Sequence, residues 1–324
     1  MQQSYRLPGL AQALLLGALI GADAGSGAQA QNAPPAPAAT PAPAPAPTPM
    51  RLQPDMGKFL ATGGVSQLEG AGGGGIVPWA LISGYGTRDS YGANAHYTAV
   101  RTQDYALATY GVALGLADRV ELSLARQRFE GRLAPLANLR IEQDIIGVKV
   151  KLAGDAVYEQ DRLLPQIALG AMYKRNRGVG GLGALGVTSV RQLGAQDGHG
   201  VDYYVAATKI LFEHSLLLNG TVRATKANQM GILGFGGNRH QGYRLMPEVS
   251  VAYLIKRQWV AGAEYRRKPH NLAVDNEKAY SDVFLAYFPN KHVSLTAAYA
   301  NLGDITIFNP RRQHGWYLSL QTGF

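Results

Sequence analysis

The feature that most limits what this chain can become is a short segment, alternately apolar and polar, that recurs from residue 93 to residue 324. Successive strand side chains point to opposite faces, so each such segment is a ribbon with one apolar and one polar face. In 291–300, Val293, Leu295, Ala297 and Tyr299 share a face, and His292, Ser294, Thr296 and Ala298 share the other. In 119–128, Val120, Leu122 and Leu124 oppose Glu121, Ser123 and Gln127. The pattern is found in 93–101, 105–116, 119–128, 143–152, 165–174, 201–210, 215–224, 244–255, 258–267, 279–288, 291–300 and 315–324. A tilted strand needs ~9–11 residues to cross a bilayer, whereas strands of globular proteins typically run ~5–6 residues. No apolar run past residue 50 is long enough for a spanning helix.

The joins carry a second signal. Ala117-Asp118, Phe212-Glu213-His214, Lys256-Arg257 and Asn290 are tight, while 130–140, 175–200, 225–243, 268–278 and 302–314 are long. Short turns at one end and long loops at the other are the pattern of an outer-membrane barrel. The join 153–164 is an exception, being longish on the short-turn side. The expected fold is all-β: a transmembrane antiparallel up-and-down β-barrel of 12 strands. It has 14 if the weaker candidates 57–66 and 79–86 form a hairpin; alternatively, that stretch folds into the lumen as a partial plug. Aromatic residues near strand ends, among them Tyr203, Trp259, Tyr287 and Tyr299, suit the headgroup level of a membrane.

Ahead of the barrel, Arg6, the apolar run Leu10 to Ile20 and Ala28-Gln29-Ala30 read as a signal peptide over 1–30. Residues 31–56 are a Pro/Ala-rich periplasmic linker, since Pro fixes φ and lacks the amide donor. The barrel takes 57–324, and the expected location is the bacterial outer membrane. The last nine residues read W-Y-L-S-L-Q-T-G-F, with Trp316, Leu318, Leu320, Thr322 and Phe324 on one face. A chain that stops on an aromatic residue of an apolar strand face resembles the closing strand read by the barrel-assembly machinery. Trp316 and Phe324 are therefore the expected assembly signal.

The net charge is +9, yet Lys and Arg are scattered at the ends of apolar stretches rather than run together, which argues against nucleic acid as a partner. There is no Cys, so disulfides and thiolate metal sites are excluded. The Gly72–Gly75 run lacks the Lys-Ser/Thr of a phosphate loop and serves close backbone approach instead. No cofactor, metal site or catalytic residue is expected.

On the polar faces, Arg223, Arg244, Glu248, Glu264 and Arg266 lie on three consecutive strands and form an expected lumen charge ladder; Glu121, Lys149 and Lys151 also face inward. Such a ladder is either a constriction that selects ions or a neutralised network that stiffens a small barrel. Arg126, Arg128, Arg175, Arg177, Arg311 and Arg312, with Lys174 and Lys268, fall on the long-loop side, where lipopolysaccharide phosphates face the rim. Three functions fit: a small passive channel or solute-uptake porin, a non-conducting envelope barrel with a plugged lumen, and an outer-membrane hydrolase. For the last, only Ser281 and Asp282 near His270 suggest a constellation. Outer-membrane lipid, lipopolysaccharide, the assembly machinery and small solutes are the expected partners.

The stretch Thr62 to Gly86, with Gly92-Ala93-Asn94-Ala95, Gln103-Asp104-Tyr105 and Asp118 to Gln127, resembles a proteobacterial outer-membrane β-barrel family of unknown function, domain-of-unknown-function family 3034. The resemblance runs from about Gly57 to the C-terminus. It implies an outer-membrane location and brings no activity, cofactor or catalytic residue with it.

Overall fold

A computed structural model of the chain describes residues 57–324 apart from 135, 276 and 308–310. The expected signal peptide and linker lie outside the described residues. Two short strands come first, β1 (Val65–Ser66) and β2 (Gly72–Gly73), and form a two-stranded sheet of their own, apart from the barrel wall. The alternating segments then give β3 (Tyr91–Thr102), β4 (Tyr105–Leu116), β5 (Val120–Gly131), β6 (Arg140–Ala153), β7 (Gln166–Gly180) and β8 (His199–Leu211). They continue with β9 (Leu216–Thr225), β10 (Arg244–Lys256), β11 (Trp259–Arg266), β12 (Tyr280–Asn290), β13 (Val293–Gly303) and β14 (Gln313–Gly323). Each pairs antiparallel with the next, and β14 closes on β3 with Leu318 opposite Ala99 and Leu320 opposite Tyr97. The fold is a closed barrel of 12 strands. The Gly-rich stretch contributes no wall strand, which settles the choice between 12 and 14.

Parity does what the sequence requires. On β5, Glu121, Ser123, Ala125 and Gln127 are buried, while Leu122 and Leu124 are about half exposed. The same exposure recurs at Ile146, Val148, Val205, Val222, Val251, Leu295, Leu318 and Leu320. A continuous apolar belt of this kind outside a closed sheet is the lipid-facing surface of a membrane barrel, with every edge paired. Aromatic rings border it: Trp259 stacks on Tyr287 at 4.4 Å near the short turns, and Trp316 meets Tyr299 edge-on at 5.3 Å near the long loops.

The lumen is filled. Residues 57–86 run inside the wall as a plug, with Leu68, Ile76, Val77, Trp79, Leu81 and Ile82 buried. At the short-turn end, Lys58 pairs with Asp118 at 2.7 Å, and Phe59 packs edge-on against Phe212. Val65 and Trp79 pack below the middle with Ile210, Leu217, Val260 and Phe288. At the other end, the loop after β9 bends inward over 228–235 and buries Met230, Ile232, Leu233 and Phe235 as a lid. Several strands outrun the expected segments. β7 extends six residues beyond 174 to Gly180, because its outward face turns from Tyr173 to Arg175 and Arg177 and leaves the apolar belt while the ladder continues.

Candidate functional site

The Gly-rich plug needs acceptors for its backbone amides, and the wall supplies carboxylates. Glu121 accepts the amides of Gly72 and Ser83, both at 2.9 Å, and Glu264 accepts that of Ile76 at 2.8 Å. Lys149 returns the favour to plug carbonyls at Gly72, Trp79 and Leu81 and pairs with Glu121 at 2.9 Å. Glycine makes this possible: a Cβ on Gly74 would lie 2.0 Å from Glu264 Oε1, and one on Gly73 would lie 2.3 Å from the Val77 carbonyl. Trp79 donates its indole N–H to Ser250, and Pro78 O accepts from Thr221.

One acidic side chain of the plug, Glu69, enters the centre of the lumen. Around it stand Arg266, whose Nη1 is 2.7 Å from Glu69 Oε2, Arg223, whose Nη1 is 3.4 Å away, and Lys174. Arg223 Nε is 2.5 Å from Glu248 Oε1, Arg266 Nε is 3.4 Å from the same oxygen, and Lys174 Nζ is 2.6 Å from Asp202. Three cations thus meet three carboxylates, and all six side chains are buried. Buried charges persist only when paired and hydrogen-bonded, and here the plug furnishes one indispensable partner.

The expected ladder is therefore only partly one unit. Arg223, Glu248 and Arg266 belong to it. Glu264 is buried and lumen-facing, but it takes hydrogen bonds from Ile76 and Ser250 rather than an ion pair. Arg244 shares the parity of Glu248 but lies four residues, or roughly 13 Å, further along β10, exposed at the long-loop end. Lys151 is at the short-turn rim, bound to Asp118 and Asp155. Lys174 and Lys268, expected on the outer rim, are buried inside. Lys174 shares the inward parity of Met172, and Lys268 turns inward beneath its loop to lie 3.5 Å from the centre of the Tyr280 ring. Glu69 and Asp202 were missed. Asp202 was legible from its parity with Tyr204 and Ala206; nothing local to Glu69 names its partners.

The rim arginines face outward, and most are paired across strands. Arg126 meets Asp144 at 2.6 Å, Arg177 meets the same carboxylate at 2.8 Å, and Arg128 meets Glu142 at 2.9 Å. Arg311 is bound to Asp104, whose carboxyl is held below its ordinary range by that guanidinium. Arg175 and Arg312 are exposed and form no ion pair among the described residues. At the closing strand, the Phe324 carbonyl accepts from the amides of Tyr85 and Ala93, and its half-exposed ring meets Tyr91 edge-on at 6.0 Å. Trp316 is exposed on the lipid-facing side.

His270, Ser281 and Asp282 do not assemble. Ser281 and Asp282 are consecutive on β12 and point to opposite faces, Asp282 into the lumen beside Glu264, while His270 is engaged by Arg239 at 2.7 Å.

No curated protein sequence matches the chain. Among solved structures, the NanC porin is similar at 9% identity, over 72% of this chain and 99% of that one, with a TM-score of 0.46. An outer membrane channel from Pseudomonas putida F1 is similar at 13% identity, over 77% and 97%, with a TM-score of 0.40. The outer membrane phospholipase of Salmonella typhi, a dimer with bound calcium, is similar at 9% identity, over 74% and 91%, with a TM-score of 0.37. Over residues 62–321 the chain matches the family model described as "Protein of unknown function (DUF3034)", and it belongs to that family.

Proposed function

We propose that this protein is a plugged outer-membrane barrel, closed to ions at rest, rather than an open passive porin. The supporting observation is Glu69: a plug carboxylate buried among Arg223, Arg266 and Lys174 that completes, with Glu248 and Asp202, a network of three cations and three carboxylates occupying the middle of the lumen. A water-filled channel needs neither this partner nor a lid of buried apolar side chains. In this reading the short turns and the plug's point of access face the periplasm, and the long loops face outward. Arg175 and Arg312 are then the rim cations left to meet lipopolysaccharide phosphate, and Trp316 and Phe324 are what the assembly machinery reads.

Planar-bilayer recording tests the main reading. The full chain is expected to be silent, and a variant lacking 62–86 is expected to give ohmic steps of reproducible size. Reproducible steps from the full chain would overturn the proposal in favour of the porin.

A further inference from the structure

The join between β6 and β7, residues 154–165, is long for its end of the barrel, where β4 meets β5 and β10 meets β11 through turns of two or three residues. Its first half packs into the interior: Ala156 and Val157 are buried, and Asp155 is bound to Lys151 at 3.2 Å. Its second half turns the other way. Lys209 shares the outward parity of Tyr203 and Val205 on β8, and its ammonium donates to the Glu159 carbonyl at 2.8 Å and to the Arg162 carbonyl at 2.6 Å. The segment 159–162 is thereby strapped to the outer face of the wall. Just beyond the strap, Leu163 is 99% exposed and Leu164 is about half exposed.

Their position decides what covers these leucines. On the two strands that flank the join, Leu152 of β6 and Leu169 of β7 are half exposed and have the parity of the lipid-facing belt. Leu163 and Leu164 continue that belt beyond the paired wall. Backbone at the edge of an apolar layer needs its polar groups satisfied from within the protein, and this join is built that way. Asp155 accepts from the amides of Val157 and Tyr158, Gln160 donates to the carbonyls of Ala156 and Val157, and Lys209 takes those of Glu159 and Arg162. A turn standing in water needs none of this. Cations remain for a phosphate as well. Lys209 forms no ion pair among the described residues, and the exposed Arg162 is held only by Glu159 at 3.6 Å. Long basic side chains near the end of a spanning segment reach for the headgroup level in this way.

We propose that residues 159–165 with Lys209 form a docking site for phospholipid of the inner leaflet. Leu163 and Leu164 enter the acyl layer, and Lys209 and Arg162 meet the phosphate. The site fastens the periplasmic end of the barrel in the membrane beside β7 and β8. It rests on the reading that turns the short turns to the periplasm and not on the plug, so a conducting full chain leaves it standing.

The chain has no Cys, so a spin label on Leu163→Cys is the only one the full chain carries. In vesicles of phosphatidylethanolamine and phosphatidylglycerol, oxygen, which concentrates among acyl chains, is expected to reach this label roughly threefold more readily than a water-soluble nickel chelate does. A label on Leu218→Cys in the belt sets the acyl value, and one on Gly183→Cys in an outer loop sets the aqueous value, with the order reversed. Adding Lys209→Gln is expected to release the strap and return the 163 label to the values found at 183. Arg162→Gln keeps the strap, which uses the carbonyl, and is expected to raise nickel access to the 163 label roughly twofold through loss of the phosphate contact. A 163 label that matches 183 in the otherwise unaltered chain overturns the proposal, as does one shielded from both reagents, which a covering protein would produce. A label that stays equally deep in both charge variants overturns the phosphate site. Should those variants not fold, the comparison of 163, 183 and 218 decides alone. A maleimide unable to cross the outer membrane is expected to label Gly183→Cys on intact cells, and failure there overturns the orientation rather than the insertion.

Discussion

The smallest decisive residue is glycine. At Gly73 an added Cβ meets backbone atoms of Val77, Pro78 and Trp79, all within 2.8 Å, and none of these can swing aside as a side chain can. Gly73→Ala is expected to cost about 1–3 kcal/mol through overpacking and to raise protease cleavage within 57–86. Gly183→Ala in an outer loop, with nothing near its new methyl, is expected to stay within about 0.5 kcal/mol of wild type by thermal unfolding. Equal effects of the two would show that the plug is not packed as described. Glu69 is decisive in the opposite sense. Removing one member of a buried ion cluster costs about 3–5 kcal/mol, because it strands the others. Glu69→Ala is therefore expected to lower the midpoint of heat modifiability far more than Glu142→Ala, which loosens one exposed pair of the kind worth ~0–1 kcal/mol.

At the scale of elements, the lid and the closing strand make contrasting predictions. The loop after β11 holds Gln229 through Asp275 and Glu277, with Lys268, Tyr280, Arg266 and His270 close by. Burial pushes the Glu277 carboxyl well above its ordinary 4.5, against the pull of Lys268 and with the push of Asp275. A carboxyl raised on folding stabilises fully below its unfolded value, and that contribution is lost as pH rises through the folded one. Burial holds Lys268 down at about 8, so its own effect is constant below that pH. Hydrogen exchange over 228–235, corrected for intrinsic rates, is therefore expected to be slower at pH 4.5 than at pH 7.5, and Glu277→Gln is expected to shrink the difference to the part contributed by Asp275, whose carboxyl burial also raises. Slower exchange at pH 7.5 would refute the pinned lid. The closing strand behaves otherwise. The Phe324 backbone makes the closing hydrogen bonds, while its ring touches only the edge of Tyr91 among the described aromatic contacts. Phe324→Ser is expected to cut the yield of membrane-inserted protein severalfold, yet to leave the unfolding temperature of what does insert nearly unchanged. Normal yield would overturn the proposal that Phe324 is an assembly signal.

Across the whole molecule, the wall was legible because a barrel wall is periodic. Alternation assigns each residue of 119–128 or 291–300 to lipid or lumen without knowledge of its neighbours, and loop lengths alone give the strand direction. Membership of the lumen cluster was half legible for the same reason. Parity points Arg223, Glu248 and Arg266 inward, but parity alone also included Arg244, because it carries no information on depth. Lys174 and Lys268 were placed at the rim by their closeness to long loops, whereas burial beneath the plug and lid took them inside. The interior itself has no period. Thr62 to Gly86 follows neither a helical nor a strand repeat, so whether it adds to the wall or fills it depends on amides of Gly72 and Ile76 meeting Glu121 and Glu264, partners 49 and 188 residues away. The sequence by itself thus determined a closed, lipid-facing barrel of alternating strands, since that surface is set by each strand's own pattern. Only the tertiary structure decided that residues 57–86 fill the lumen rather than join the wall and that Glu69 is the partner of its cations, because each of these depends on contacts between residues far apart along the chain.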